Sequence, residues 1–190
     1  MRKFGQKLIC FMETNGAISE EDRDVYEYAL KSAWILGINI ITSLIIGLVL
    51  RAPWYCILLL LAIIPLRSDA GGYHAPTAWR CYLLSCAGQI AILLWIKAEI
   101  PFQGLLTACM AILSFLLIFR YAPLEADNKP LDEVEKRVIG KRARKIVTVE
   151  TAVGLTCLLI EKKAALTILS AIIWCAVGYI GWFLEKRQSR

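Results

Sequence analysis

Residues 102–119 read FQGLLTACMAILSFLLIF, a stretch without a single charge. A helix gains ~1.5 Å per residue, so crossing a hydrocarbon core of ~30 Å takes ~20 apolar residues, and this stretch comes close to that length. Residues 33–50 and 164–184 meet the same standard. Three further apolar stretches are shorter: 52–66, 82–96 and 146–160, the last carrying Glu150. A short span tilts little and thins the bilayer around it, or stays partly re-entrant. The expected fold is therefore all-α: a polytopic integral membrane protein with about six transmembrane helices, or four plus two partial segments. The chain, residues 1–190, is read as a single membrane-embedded domain.

The composition agrees. Of 190 residues, 58% are apolar and 20% charged, and the mean hydropathy is +0.57, against about 45–50% and about 25% in a soluble domain. This excludes a disordered chain and argues against an ordinary water-soluble globule. Six of the sixteen carboxylates fall within 13–27 and five within 125–135. The net charge of +6 comes from basic residues that mostly flank apolar runs. An anionic lipid leaflet or an acidic peptide is the expected partner for them, and nucleic acid is not. With six spans, the N-terminus, the 67–81 loop, the 120–145 loop and the C-terminus share one side and hold 18 of the 22 Lys and Arg residues. Arg51, Lys97, Lys162 and Lys163 fall on the other. The positive-inside rule then makes both termini and both loops cytoplasmic.

Ser19-Glu20-Glu21-Asp22 reads as a helix start, with a hydroxyl cap and acids in the first turn. Val25, Tyr28, Ala29 and Ser32 follow at helical spacing. Leu8, Phe11 and Met12 give a shorter amphipathic stretch suited to a membrane surface, so 1–32 is read as cytoplasmic or interfacial amphipathic helices. The opening MRKFGQKLICFMETNG has no long apolar core or small-residue cleavage site and is not expected to be a signal peptide. The seven cysteines are odd in number and form no CxxC pair. Five of them (56, 86, 109, 157 and 175) lie in apolar runs, where Cys acts as a small hydrophobe, so a disulfide framework is not expected.

His74 is the one histidine in the chain. That removes HExxH and multi-His zinc chemistry, and Cys clusters at metal spacing and a Gly-rich nucleotide loop are missing too. No metal and no cofactor is expected. His74 lies in RSDAGGYHAPTAWRC, residues 67–81. Gly71-Gly72 permits a tight turn before it, and Pro76 suits the first turn of the next helix. A helix starting near Pro76 would place Cys81 about one and a half turns inside. Its side chain would lean back toward the N-terminus, within reach of an imidazole. A free thiol titrates near ~8.5, and a neighbouring imidazole can take its proton. A helix N-terminus and Arg80 or Arg67 would favour the thiolate, and N–H groups around Gly71, Gly72 and Tyr73 could form an oxyanion hole. Spacing alone leaves the plain alternative open: an interfacial histidine and a buried thiol.

The flanking residues narrow this choice. RSDAGGYHAPTAWRC resembles the active-site segment of the AgrB family, the accessory gene regulator membrane endopeptidases of bacterial quorum sensing, with its Arg, Gly-rich turn, His-Ala and a Cys seven residues after the His. A second patch, Tyr121-Ala122-Pro123 followed by Lys129-Pro130-Leu131, matches as well. The resemblance implies a multi-pass protein of the bacterial cell membrane. It implies a cysteine endopeptidase acting on a short AgrD-like propeptide, with His74 as general base and Cys81 as nucleophile. Cys81 would form an acyl-enzyme thioester, and an internal thiol or hydroxyl of the peptide would then close a thiolactone or lactone ring. The partners to consider are that propeptide, an anionic bilayer and a second copy of the chain in a homodimer.

The secondary candidates are weaker. Asp69 could orient His74 as the third group of a triad, and Gln89 could orient the site or make an interhelical hydrogen bond. Glu150, an acid in an apolar stretch, is a functional candidate by its position. Ser68 and Ser85 could make a serine-type enzyme with His74, a weaker reading than the thiol. Arg67, Lys129, Lys136, Arg137, Lys141 and Arg142 are candidates for binding an acidic substrate tail, in competition with a purely topogenic role. A small transporter gated by 67–81 and a non-enzymatic membrane scaffold are the alternative functions. A transporter should carry matching mid-span breaks, whereas this chain gathers its polar residues in one loop.

Overall fold

The structure, a computed structural model, describes residues 10–15, 23–72, 77–124 and 132–188. All regular structure among them is helical. Residues 10–14 are helical, and six longer helices follow: α1 (Arg23–Val49), α2 (Pro53–Ala70), α3 (Ala78–Lys97), α4 (Gln103–Tyr121), α5 (Glu133–Cys157) and α6 (Lys162–Gln188). By their contacts these residues form two compact units, 1–42 and 43–190. In the first, Arg23 pairs with Glu13 at 3.3 Å, and the Thr14 hydroxyl donates to the Cys10 carbonyl at 2.7 Å. Phe11 is exposed, as an apolar side chain lying on a membrane surface would be. The helix start at Ser19–Asp22 and Leu8 lie outside the described residues.

The second unit is assembled around α6. The span Lys162–Leu184 has 61% of its most apolar window buried, against 28% in the spans of α2, α3 and α4, so α6 is the central post and the others are its outer staves. Leu66, Ile118, Val147, Leu169, Ile172 and Tyr179 bring α2, α4, α5 and α6 into one core. Cys56, Leu59, Leu93, Ile96 and Leu166 make a second core from α2, α3 and α6. Small residues let these helices approach closely, because in lipid they associate by packing and not by escape from water. Along α5 the buried positions are Gly140, Ala143, Val147, Thr151 and Gly154, one stripe at helical spacing. A Cβ on Gly154 would stand 2.6 Å from a Leu169 methyl carbon.

Four helices among the described residues are long and apolar enough to cross a membrane: Pro53–Ala70, Trp79–Lys97, Gln103–Tyr121 and Lys162–Leu184. Of the two counts expected, about six spans or four plus two partial segments, this favours the second. The apolar part of α1, Ala33–Val49, is shorter. Residues 146–160 are not a separate span but mainly the second half of α5. Asp132 and Glu135 close a capping box there, and the Asp132 side chain accepts the Glu133 N–H at 2.6 Å. The cap starts the helix thirteen residues before the apolar stretch, and Lys and Arg are good helix formers. The basic segment expected as a loop up to residue 145 is thus helical from Glu133 onward. Conversely, 52–66 and 82–96 are extended by polar turns to full spanning length.

The two ends of the bundle are distinct. At one, Lys97 Nζ donates to the Leu50 carbonyl, Gln103 Nε2 to the Trp95 carbonyl, and Lys163 pairs with Glu99 at 3.4 Å. At the other, the end of α2 meets the end of α4 through Leu124 N–H and the Ala70 carbonyl at 3.0 Å, and Tyr121 packs edge-on against Phe183 of α6. Of the segments grouped on one side by their Lys and Arg content, the described residues 67–72, 77–81, 120–124 and 183–188 therefore share an end of this second unit.

Candidate active site

The site is built where α2 stops and α3 starts. Pro65 lies inside α2, yet the helix continues past its apolar stretch, and the Ser68 hydroxyl donates to the Pro65 carbonyl at 2.9 Å. Gly71 ends it with φ 75°, an angle that favours glycine, and its N–H donates to the Arg67 carbonyl at 3.2 Å. On the far side Thr77 caps α3, its hydroxyl accepting the Arg80 N–H at 3.4 Å. The connection expected over 67–81 therefore shrinks to 71–77, with 67–70 and 78–81 helical. Helix α3 begins at Ala78 instead of near Pro76, because the Thr77 hydroxyl can accept an orphan N–H at that point. Cys81 consequently stands one turn inside the helix, not one and a half. His74 and Pro76 lie outside the described residues.

Cys81 is half-buried and free. It lines a cavity of about 180 Å³ together with Ser85 of α3, Arg67 of α2, and Trp174, Gly178 and Gly181 of α6. The cavity thus has Cys81 and Arg67 on its α2–α3 side and an aromatic residue and two glycines on the α6 wall. Helices α3 and α6 cross closely at Trp174. A Cβ on Gly88 would fall 2.2 Å from the Trp174 ring, so only glycine admits the indole there. Chemically, a thiol-bearing and a cationic residue lining one partly apolar recess are groups suited to a peptide carbonyl with negative charge developing on it. The two serines considered as alternatives are engaged with backbone carbonyls: Ser68 with Pro65, and Ser85 with Cys81 at 3.0 Å.

The remaining candidates are dispersed. Asp69 is half-buried on α2, but it sits about 200° around the helix from Arg67 and does not line the cavity. Gly72 has φ 141° and closes the described part of the turn. Gln89 is buried on α3, two turns beyond Cys81, and its Oε1 has no hydrogen-bond partner among the described residues. Glu150 is half-buried on α5 with Oε2 in the same condition. Arg137, Lys141 and Arg142 are exposed on the first half of α5, and Lys136 pairs with Glu133 at 3.5 Å. Lys129 lies outside the described residues. All seven cysteines are free; Cys56 and Cys175 are core packing as expected, while Cys109 faces outward.

Three contributors escaped the sequence reading. Trp174 and the glycines of α6 sit in an apolar run that announces a span and nothing else. Arg144 belongs to a basic cluster, yet its Nε donates to the Phe119 carbonyl at 3.0 Å and its Nη2 to the Ala122 carbonyl at 3.2 Å, capping the end of α4. Tyr179 looks like one more interfacial aromatic, but it is fully buried and its hydroxyl donates to the Ala70 carbonyl at 2.6 Å.

Comparison with known proteins places the sequence in a family. The family profile described as Accessory gene regulator B matches residues 6–179. A protein described as AgrB-like protein 2, from Clostridium perfringens strain 13, is 26% identical, with 87% of this chain and 86% of the relative aligned. An AgrB-like protein of Clostridium perfringens strain SM101 is 24% identical over the same shares. No solved structure matches the chain. With a profile match across most of its length and four helices able to cross a bilayer, this multi-pass membrane protein belongs to the accessory gene regulator B family.

Proposed function

We propose that this chain is a cysteine-type endopeptidase of a peptide quorum-sensing system, cleaving the C-terminal part of an AgrD-like propeptide so that the rest can close into a ring. The observation that supports this best is that Cys81 and Arg67 line one cavity, seven residues either side of His74 in sequence.

In this reading His74 takes the Cys81 thiol proton, and the sulfur attacks the carbonyl carbon of the scissile bond. The tetrahedral oxyanion is stabilised by the Arg67 charge and by N–H groups of the Gly71-Gly72 turn. The C–N bond then breaks, the imidazolium returns its proton to the departing amine of the acidic tail, and a thioester remains on Cys81. A thiol or hydroxyl within the peptide attacks that thioester carbonyl, and Cys81 leaves as a thiol. A thioester preserves the acyl activation that ring closure needs, which direct hydrolysis would discard. Arg137, Lys141 and Arg142 on the exposed first half of α5 would draw in the tail. Both termini and this end of the bundle are cytoplasmic, where most of the basic residues lie.

The test is propeptide cleavage in membranes containing the Cys81→Ala variant. The protein should insert and accumulate while the propeptide stays intact. Changing any other cysteine to serine should leave cleavage. Normal processing by Cys81→Ala would refute the assignment.

A further inference from the structure

The last residue of α2 carries a carbonyl at which three elements meet. Ala70 O accepts the Leu124 N–H at 3.0 Å and the Tyr179 hydroxyl at 2.6 Å. The segment after α4 that supplies Leu124 is held in turn by Arg144 through the Phe119 and Ala122 carbonyls. Gly140 admits Pro123, whose ring lies 3.0 Å from where a Cβ would stand. Gly71 fits under the Leu124 carbonyl only because it has no Cβ. The end of α2 is therefore clamped by parts of α4, α5 and α6, and this helix end bears Arg67, which shares a cavity with Cys81.

Packing does not account for the Tyr179 hydroxyl. A phenylalanine ring would fill the same volume, whereas burying a hydroxyl in an apolar helix is unfavourable unless it finds an acceptor. The carbonyl it meets is one of the orphan acceptors that every helix C-terminus leaves, and it already has the Leu124 N–H. The second hydrogen bond adds direction: it ties the end of α2 to the central helix, where Gly178 and Gly181 in the same turn as Tyr179 line the Cys81 cavity.

We propose that Tyr179 is a positioning residue of this site, its hydroxyl setting the end of α2, and with it Arg67 and the Gly71-Gly72 turn, against Cys81. The proposal rests on the endopeptidase reading above. The experiment uses the full-length protein in lipid bilayers. Propeptide cleavage is followed kinetically, and Cys81 alkylation by iodoacetamide is followed by mass spectrometry across a range of pH. Tyr179→Phe should lower kcat about tenfold, since small misplacements of reacting groups are that costly. KM should stay within about twofold, because the binding groups themselves are retained. Its alkylation profile should also move toward that of His74→Gln. A wild-type kcat and a wild-type profile would overturn the proposal, whatever happens to the melting temperature. If Tyr179→Phe does not accumulate, Arg144→Gln loosens the same clamp from the α4 side and is judged by the same two readouts. Cys81→Ala in parallel separates the two ideas. Cleavage by that variant sinks the endopeptidase reading, while an inactive Cys81→Ala beside a wild-type Tyr179→Phe sinks the positioning role alone.

Discussion

Gly71→Ala should destabilise this protein more than Gly72→Ala, although the two glycines are adjacent and both have positive φ. Gly71 has φ 75° and ψ −157°, and Gly72 has φ 141°. A side chain held in such a region costs about 1–3 kcal/mol, and both variants incur that strain. Only Gly71 also meets an obstacle. Its Cβ would stand 2.4 Å from the Leu124 carbonyl oxygen and 3.2 Å from the carbonyl carbon, while at Gly72 no described atom lies within 4 Å. Non-bonded heavy atoms settle at roughly 3.5 Å or beyond, so the backbone of Leu124 must retreat by about 1 Å. Its N–H is the donor to Ala70 at 3.0 Å, and a retreat of that size carries it past the ~3.2 Å limit of an N–H···O bond. Losing that bond costs about 1 kcal/mol, and residual crowding adds a similar amount. The excess for Gly71→Ala is thus about 1–2 kcal/mol, which for a chain of this size is a melting temperature lower by about 2–8 °C. Far-UV circular dichroism melts of the two variants, purified in the same detergent, measure it directly. If Gly72→Ala melts at the same temperature or lower, the tight fit of Gly71 beneath Leu124 is not what shapes this turn.

Further outcomes follow from other parts of the site. Gly88→Ala would drive a Cβ into the Trp174 ring and should cost about 1–3 kcal/mol by overpacking. Adding Trp174→Leu should recover most of that, and strictly additive losses in a double-mutant cycle would show that the two residues are not coupled. Neutralising Arg137 and Lys141 together should raise KM for the propeptide several-fold at unchanged kcat, with the effect fading as salt screens exposed charges over ~10 Å at 0.1 M. An unchanged KM on correctly inserted protein would leave those charges as topology signals. Cysteines placed at Lys141 and Arg187 in a background without accessible thiols should react only with cytoplasmic reagents, and cysteines at Lys97 and Lys162 only with external ones. Labelling of Lys97 from the cytoplasm would overturn the assigned orientation.

The membrane-helical class was legible in the sequence because it depends on a local property, the length of uncharged apolar runs. The 67–81 segment stood out as a candidate site for a related reason: a lone histidine, a glycine pair and a cysteine lie close along the chain, so the sequence alone brings them to notice. Helix limits were less so. Hydropathy marks where lipid is tolerated, not where hydrogen bonding stops. Helix α2 runs on through Arg67-Ser68-Asp69 until Gly71 takes a positive φ, and α5 begins at the Asp132 cap, well before its apolar half. The same run of α2 separates Arg67, read as a partner of the thiolate or the substrate tail, from Asp69, read as a candidate orienting group for His74. Two residues on one helix, two apart, point to different sides.

What the sequence by itself determined, then, was an all-helical membrane chain, and it singled out Cys81 as the thiol on which the proposed chemistry would centre. Both follow from short stretches whose composition or spacing is sufficient. Tertiary structure alone decided what stands opposite that thiol. Trp174, Gly178 and Gly181 come from a helix about ninety residues and more further on, and nothing in their apolar run distinguishes a cavity wall from a lipid-facing stripe. It likewise decided that Tyr179, an aromatic among many near a membrane end, gives its hydroxyl to Ala70, 109 residues away. In a bilayer every outer face can be equally apolar, so hydropathy says that a helix is buried in lipid or protein but not which. That distinction is made by close packing of small residues and by the few buried hydrogen bonds that select one arrangement of helices over its neighbours.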